Sequence, residues 1–207
     1  MILFIILNAN IHILFVIYIL LKIHKLYYYN INGETMNNKI VFDLEKFKVM
    51  IHYIISRCGF QENVGRVVLF KLLYFSDFDN YELYENSISG ETYLRKRMGP
   101  VPSHFQDAII ELKNEGKINE TTEIIINFPK YKYSSLVEPD TSILSSDELQ
   151  VIDDTINKIS HFLSKEISEY SHGDIPWRIA KDGEAINYEA VFYRDPEYSV
   201  RDYDDEL

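Results

Sequence analysis

Leu44, Phe47, Ile51, Ile54 and Cys58 recur three or four residues apart, the spacing that lines up side chains on one face of an α-helix. The pattern predicts an amphipathic helix over residues 44–57, stopped by Gly59. Asn63 suits the N-cap of a second helix. That helix carries VVLFKLLYF, apolar nearly all round, which predicts a central, buried segment over residues 67–75. Lys71 is its lone charge and is expected to snorkel to the surface along its aliphatic stem. The stretch SDFDNYELYEN continues or frays this helix, with acids expected on a solvated face and Phe78, Tyr81 and Tyr84 turned inward.

Ser89-Gly90 then marks a turn, and residues 92–95 read as a short strand. Pro100 and Pro102 bracket Val101, and Pro102 suits the first turn of a helix. Val101, Phe105, Ala108, Ile109 and Leu112 give that helix one apolar stripe, ended by Gly116. Residues 117–119, 122–128 and 132–136 alternate as short strands of a small sheet or wing. Ser145 and Glu148 form a capping box ahead of a stripe of Leu149, Ile152, Ile156, Ile159 and Leu163. A short helix over residues 164–170, capped by Ser164, precedes Trp177 on a loop or short helix. A final extended segment runs through Phe192-Tyr193, and the chain ends in the acidic RDYDDEL. These elements define a single compact α+β domain, mainly α-helical, with a small antiparallel sheet.

Composition narrows the function. The 207 residues include one cysteine, Cys58, so no intrachain disulfide can form. That fits a reducing, cytoplasmic location, with Cys58 serving as a small buried hydrophobe. Net charge is −11, a surface that repels phosphate backbones, so no nucleic-acid partner is expected. The sequence has no P-loop, no GxGxxG, no GxSxG and no zinc spacing, so neither a catalytic group, a cofactor nor a metal site is expected. Ser171, His172 and Asp174 lie too close in sequence to converge on one substrate atom, and Ser171 and Asp174 are expected to cap or turn the backbone. Asp77 and Asp79 have no third ligand at metal-binding spacing.

The charge contrast is more informative. Arg95, Lys96 and Arg97 cluster in an acidic chain, beside a GPVP turn whose prolines restrict φ. Such a preorganised basic surface binds with a reduced entropy cost. The competing reading pairs these arginines with Asp77, Asp79 or Glu82 inside the domain. A small-ligand or enzymatic site at the Arg95–His104 turn is the alternative from another functional class.

The order KLLYFSDF, SGETYLRK, GPVPSHF, with the later SHGDIPWRIAKDGEAINYEAVFYRDPEY, resembles the Panacea domain, the SocA-like antitoxin domain also described as phage-associated and GepA-like. The resemblance covers roughly residues 42–198. It implies an antitoxin that binds and neutralises a toxin encoded next door, and one branch of the family implies an adaptor that hands the toxin to a protease. The chain lacks the added DNA-binding domain of many such antitoxins, which puts autorepression in doubt. On this reading Tyr93, Arg95, Arg97 and His104 are the candidate partner-binding residues.

The first 35 residues stand apart from the expected domain at 36–207. MILFIILNANIHILFVIYILLK is long enough to span a bilayer. Lys22 and Lys25 behind it would leave the domain in the cytoplasm, tethered to the membrane. Asn8, Asn10 and His12 oppose insertion. The Ile, Asn, Lys and Tyr content is that of translated AT-rich DNA, and Gly33-Glu34 can encode a ribosome-binding sequence ahead of Met36. Initiation at Met36 is therefore the expectation. N-terminal peptide mapping of the native protein checks it: a first peptide beginning at Met36 or Asn37 is expected, and any peptide from residues 1–25 contradicts it.

Overall fold

A computed structural model describes residues 40–125 and 128–201. The hydrophobic N-terminal segment and the acidic end after Arg201 lie outside these residues. Helix α1 (Leu44–Cys58) starts at Asp43, whose carboxylate accepts from the Lys46 N–H at 3.0 Å. It buries Phe47, Met50, Ile51, Ile54, Ile55 and Cys58, the stripe expected from the spacing. Gly59 ends the helix with φ −60°, not in the left-handed region. Close approach explains the glycine: a Cβ there would lie 2.5 Å from the Ile55 carbonyl oxygen and 2.8 Å from that of Tyr133.

Helix α2 (Arg66–Tyr84) forms the axis of the fold, and nearly every residue from Val68 to Glu82 is buried. Its N-cap is Gly65 rather than Asn63. Asn63 instead donates to the Ser160 and Phe162 carbonyls at 2.7 and 2.9 Å, tying the α1–α2 corner to a segment 97 to 99 residues further along the chain. The acids of the second half were expected on a solvated face, and the structure buries three of them. Asp77, Asp79 and Glu82 are buried, because partners remote in sequence reach in to meet them.

Strands β1 (Tyr93–Lys96) and β2 (Gly99–Pro102) form a tight antiparallel hairpin in which Tyr93 opposes Pro102 and Lys96 opposes Gly99. Pro100 and Pro102 thus belong to a strand, and helix α3 (Phe105–Asn114) begins three residues beyond Pro102. In such a ladder alternate residues turn their backbone polar groups away from the partner strand. The prolines occupy those positions, so their missing N–H groups cost no ladder bond. Arg95 and Tyr93, opposite them, point backbone groups the other way. Arg95 exchanges bonds with residues 183 and 184, and the Tyr93 carbonyl accepts from Ile186 N–H.

A second hairpin, β3 (Ile118–Ile125) and β4 (Phe128–Ser135), is one continuous ladder where three shorter strands were expected. Helix α4 (Ser146–Ile159) carries the anticipated capping box, with Ser145 and Glu148 bonding each other's backbone N–H groups. Leu163 does not join its buried stripe; it is exposed and N-caps α5 (Ser164–Gly173), where Ser164 was expected. Short helix α6 (Ile175–Ile179) carries Trp177, and Tyr188–Tyr193 is a 3-10 helix rather than an extended segment. The result is an α+β fold, mainly helical, with two small antiparallel hairpins.

Arg194 follows that 3-10 helix, and its guanidinium is buried against α2. It donates to Asp79 at 2.6 Å, to Glu82 at 2.9 Å, and to both oxygens of Asp174 at 2.9 and 3.0 Å. Tyr74 also donates to Asp174, at 2.8 Å. Arg194 is thus shared among three carboxylates, and burial pushes the Asp79 carboxyl up to about 6 despite the guanidinium beside it. A carboxyl raised in this way contributes stability that is present below its unfolded value and is lost as pH rises through about 6. Breaking a buried ion cluster by removing one partner costs about 3–5 kcal/mol. Arg194→Met should lose on that order at pH 7 by denaturant titration. The loss should shrink at pH 5, below the value of about 6 to which burial raises Asp79. An equal loss at both pH values would contradict the charge account.

Candidate functional site

The β1–β2 turn places Lys96, Arg97 and Met98 at an exposed tip. Just behind it, the Arg95 guanidinium lies over the Trp177 ring, 4.1 Å from its centroid. Its Nε donates to the Trp177 carbonyl at 3.2 Å, and one terminal nitrogen stands 3.8 Å from Asp182. Arg95 therefore does not pair with Asp77, Asp79 or Glu82, the internal partners that the sequence offered. Those acids are engaged elsewhere: Asp77 by Ser89 and Tyr93, and Asp79 and Glu82 by Arg194.

Tyr93 cannot meet a partner in this conformation. It is 0% exposed, and its hydroxyl donates to Asp77 at 2.8 Å. Tyr93 faces α2 beneath the strand, packed edge-on against Tyr74 and Phe78; Arg95 shares that face but lies beyond the core, toward the tip. Burial pushes the Asp77 carboxyl up to about 6, against the pull of its hydrogen bonds to Ser89 and Tyr93.

His104 sits at the other end of the hairpin. From Gly99 to the end of β2 is roughly 10 Å at the usual strand rise, so Arg97 and His104 are not neighbours. Its ring is 42% exposed and stacks on Phe42 at 4.2 Å, while Nδ1 lies 3.0 Å from the Glu91 carboxylate. Glu91 is buried and also accepts from the Ser103 and His104 N–H groups at 3.2 and 3.1 Å. It thereby caps α3 from outside the helix. Burial raises the Glu91 carboxyl, and its bond to His104 opposes the rise. The four candidate residues thus separate into a basic tip, a buried strut and a distal histidine.

The structure adds residues that the sequence pattern undervalued. Lys71 does not snorkel: it is 1% exposed, and its Nζ reaches only the Pro100 carbonyl, at 3.3 Å. Burial brings its amine down to about 7. Among the described residues no carboxylate lies within ion-pair distance of it. Its position was readable as the one charge in an apolar run, but the covering of that position by β2 was not. His172 hydrogen-bonds the Arg97 backbone and stacks on Trp177 with 4.2 Å between centroids. Burial lowers its imidazole, and Lys71 and Arg95 push it further the same way. Trp177 is half-buried between the core and this basic rim.

Ser171, His172 and Asp174 do not converge. Ser171 donates to the Ser168 carbonyl, His172 faces the turn, and Asp174 holds Arg194. Asp174 does stand where the backbone turns, as the N-cap residue of α6, but its side chain makes no cap bond and serves Arg194 and Tyr74 instead. Among the described residues no group of three histidine, cysteine or acidic side chains gathers as a metal site would. No helix among them is long and apolar enough to cross a membrane.

The family model for the antitoxin SocA-like, Panacea domain matches residues 69–178, just over half of the chain. The chain belongs to this family. The match begins in α2 and ends just past Trp177, so it includes the β1–β2 turn, its Lys71 support and the Trp177 shelf. Comparison with curated proteins and with solved structures finds no match.

Proposed function

We propose that this protein is a cytoplasmic antitoxin that neutralises a toxin encoded beside it by direct binding, without catalysis, cofactor or nucleic acid. Membership of the SocA-like antitoxin family carries the reading. The exposed basic tip supports a place for the contact. Arg97 and Lys96 stand in solvent on a hairpin stiffened by Pro100 and Pro102, in a chain of net charge −11. Arg95 adds a guanidinium already oriented by Trp177, so little rotamer freedom remains to be lost on binding. Guanidinium groups of this kind make bidentate bonds to carboxylates that lysine does not reproduce. Tyr93 acts as a strut for this surface. His104 is a second contact point at the far end of the hairpin. Delivery of the bound toxin to a protease is a further step of the same reading.

Co-expression with the neighbouring gene tests it. The wild-type chain should restore growth. Arg95→Ala with Arg97→Ala should weaken toxin binding by several kcal/mol, as loss of close interfacial charge pairs does, and should abolish rescue. Arg→Lys at both positions should recover part of the effect. A melting curve for each variant separates loss of contact from loss of fold. A folded double-alanine variant that still rescues fully would refute this surface. Failure of the wild-type chain to rescue would refute the antitoxin reading itself. Equal rescue in a protease-deficient host would remove the adaptor step.

A further inference from the structure

Two titratable side chains lie directly beneath the β1–β2 turn, and both are housed in a way that suits only their uncharged forms. Lys71 projects from the middle of α2 into the underside of Gly99-Pro100. Gly99 has φ +97°, and a Cβ there would lie 2.3 Å from Ser171 Oγ, 2.6 Å from Lys71 Cε and 2.9 Å from Lys71 Nζ. The turn therefore sits on the lysine tip with no intervening side chain. An ammonium carries three donors, whereas among the described residues Nζ bonds one acceptor, the Pro100 carbonyl. A neutral amine leaves far less unsatisfied.

His172 comes from α5 to the other side of the turn. Its ring bonds the Arg97 backbone, while Nε2 is buried with no partner among the described residues. A neutral imidazole donating once fits this seat, and an imidazolium would bury a second N–H without an acceptor. Other charged groups bear on the pair. Arg95 on β1 opposes a positive charge on His172, as Lys71 does; Glu169, one turn back on α5, favours it. Asp182 stands 3.8 Å from Arg95, and Ser171 keeps its proton on the Ser168 carbonyl.

We propose that Lys71 and His172 are positioning residues that make the recognition turn a proton-linked element: it keeps its shape while both are uncharged and lifts from α2 and α5 when either takes up a proton. The idea deepens the proposed function, since the turn carries Arg95 and Arg97, but the linkage itself can be measured without a partner. The sign follows from the seats. Both groups bind protons more readily when the turn is open, so acidification favours opening. Lys71, brought from its ordinary 10.5 down to about 7, places its part of the response between those two values, and His172 adds its part below its ordinary 6.5.

Amide hydrogen exchange at residues 96–99 of the full chain, corrected for intrinsic rates, is the test. Protection should fall as pH drops from about 9.5 to about 7, by up to about tenfold per pH unit as opening lets Lys71 take up a proton, and should fall again below about 6.5 as His172 does the same. Lys71→Met with His172→Asn should flatten the profile, because neither replacement titrates and asparagine retains a donor for the Arg97 backbone. A purely structural role would change the level of protection and leave its slope intact. A flat wild-type profile, or an unchanged slope in the double variant, would overturn the linkage. In a parallel arm, affinity for the purified product of the neighbouring gene should weaken over the same pH range in the wild type only. A sloped exchange profile with pH-independent affinity would overturn the coupling to recognition. Absence of binding at every pH would count against the proposed function and leave the exchange result standing.

Discussion

The fold depends on how the charge on one helix is neutralised. Helix α2 is buried along most of its length, yet its second half carries Asp77, Asp79 and Glu82. Unpaired carboxylates in such a place would cost several kcal/mol each, on the order that desolvation of an ion demands. Arg194 answers two of them and Asp174 as well, while Ser89 and Tyr93 answer Asp77. These partners come from the C-terminal segment, the α5–α6 junction and the loop and strand after α2. Neutralising α2 therefore pulls the remote parts of the chain onto the helix. A guanidinium suits this task, since its fork can serve several acids at once and it keeps its charge when buried.

The turn at β1–β2 inherits its position from the same helix. Tyr93 ties the start of β1 to Asp77 near the middle of α2, and Lys71, nearly two helical turns earlier, meets Pro100 on β2. The hairpin is thus pinned at both ends to one rigid element. Residues 183–186 close its outer edge through backbone bonds to Arg95 and Tyr93. The tip stays exposed at Lys96, Arg97 and Met98. On the proposed function, an element mounted this way binds with a reduced ordering cost.

The local pattern made much of this legible. Helical spacing exposed the buried faces of α1, α3 and α4, the capping box placed the start of α4, and the apolar run located the central helix. The misses share a physical cause. Solvation of the acids on α2 and surface exposure of Lys71 follow from neighbours in sequence, and each is reversed by a partner 12 to 115 residues away; Asp174 keeps its place at a helix junction while its side chain serves Arg194, 20 residues on. Pro102 was misassigned because proline suits both a helix start and an unpaired strand position, and only the register separates the two. The candidate site was legible as chemistry but not as geometry. Arg95, Lys96 and Arg97 do gather at one turn, whereas Tyr93 is inside and His104 is at the opposite end.

The central claim is that the basic tip and its Trp177 shelf meet the partner. Hydrogen-exchange mapping of the protein with and without the co-purified product of the neighbouring gene tests it most directly. The account predicts added protection at residues 94–98 and 177–182, with little change along α2, whose amides are already shielded. Protection confined to the β3–β4 hairpin or to the exposed face of α4, with the tip unchanged, would contradict it.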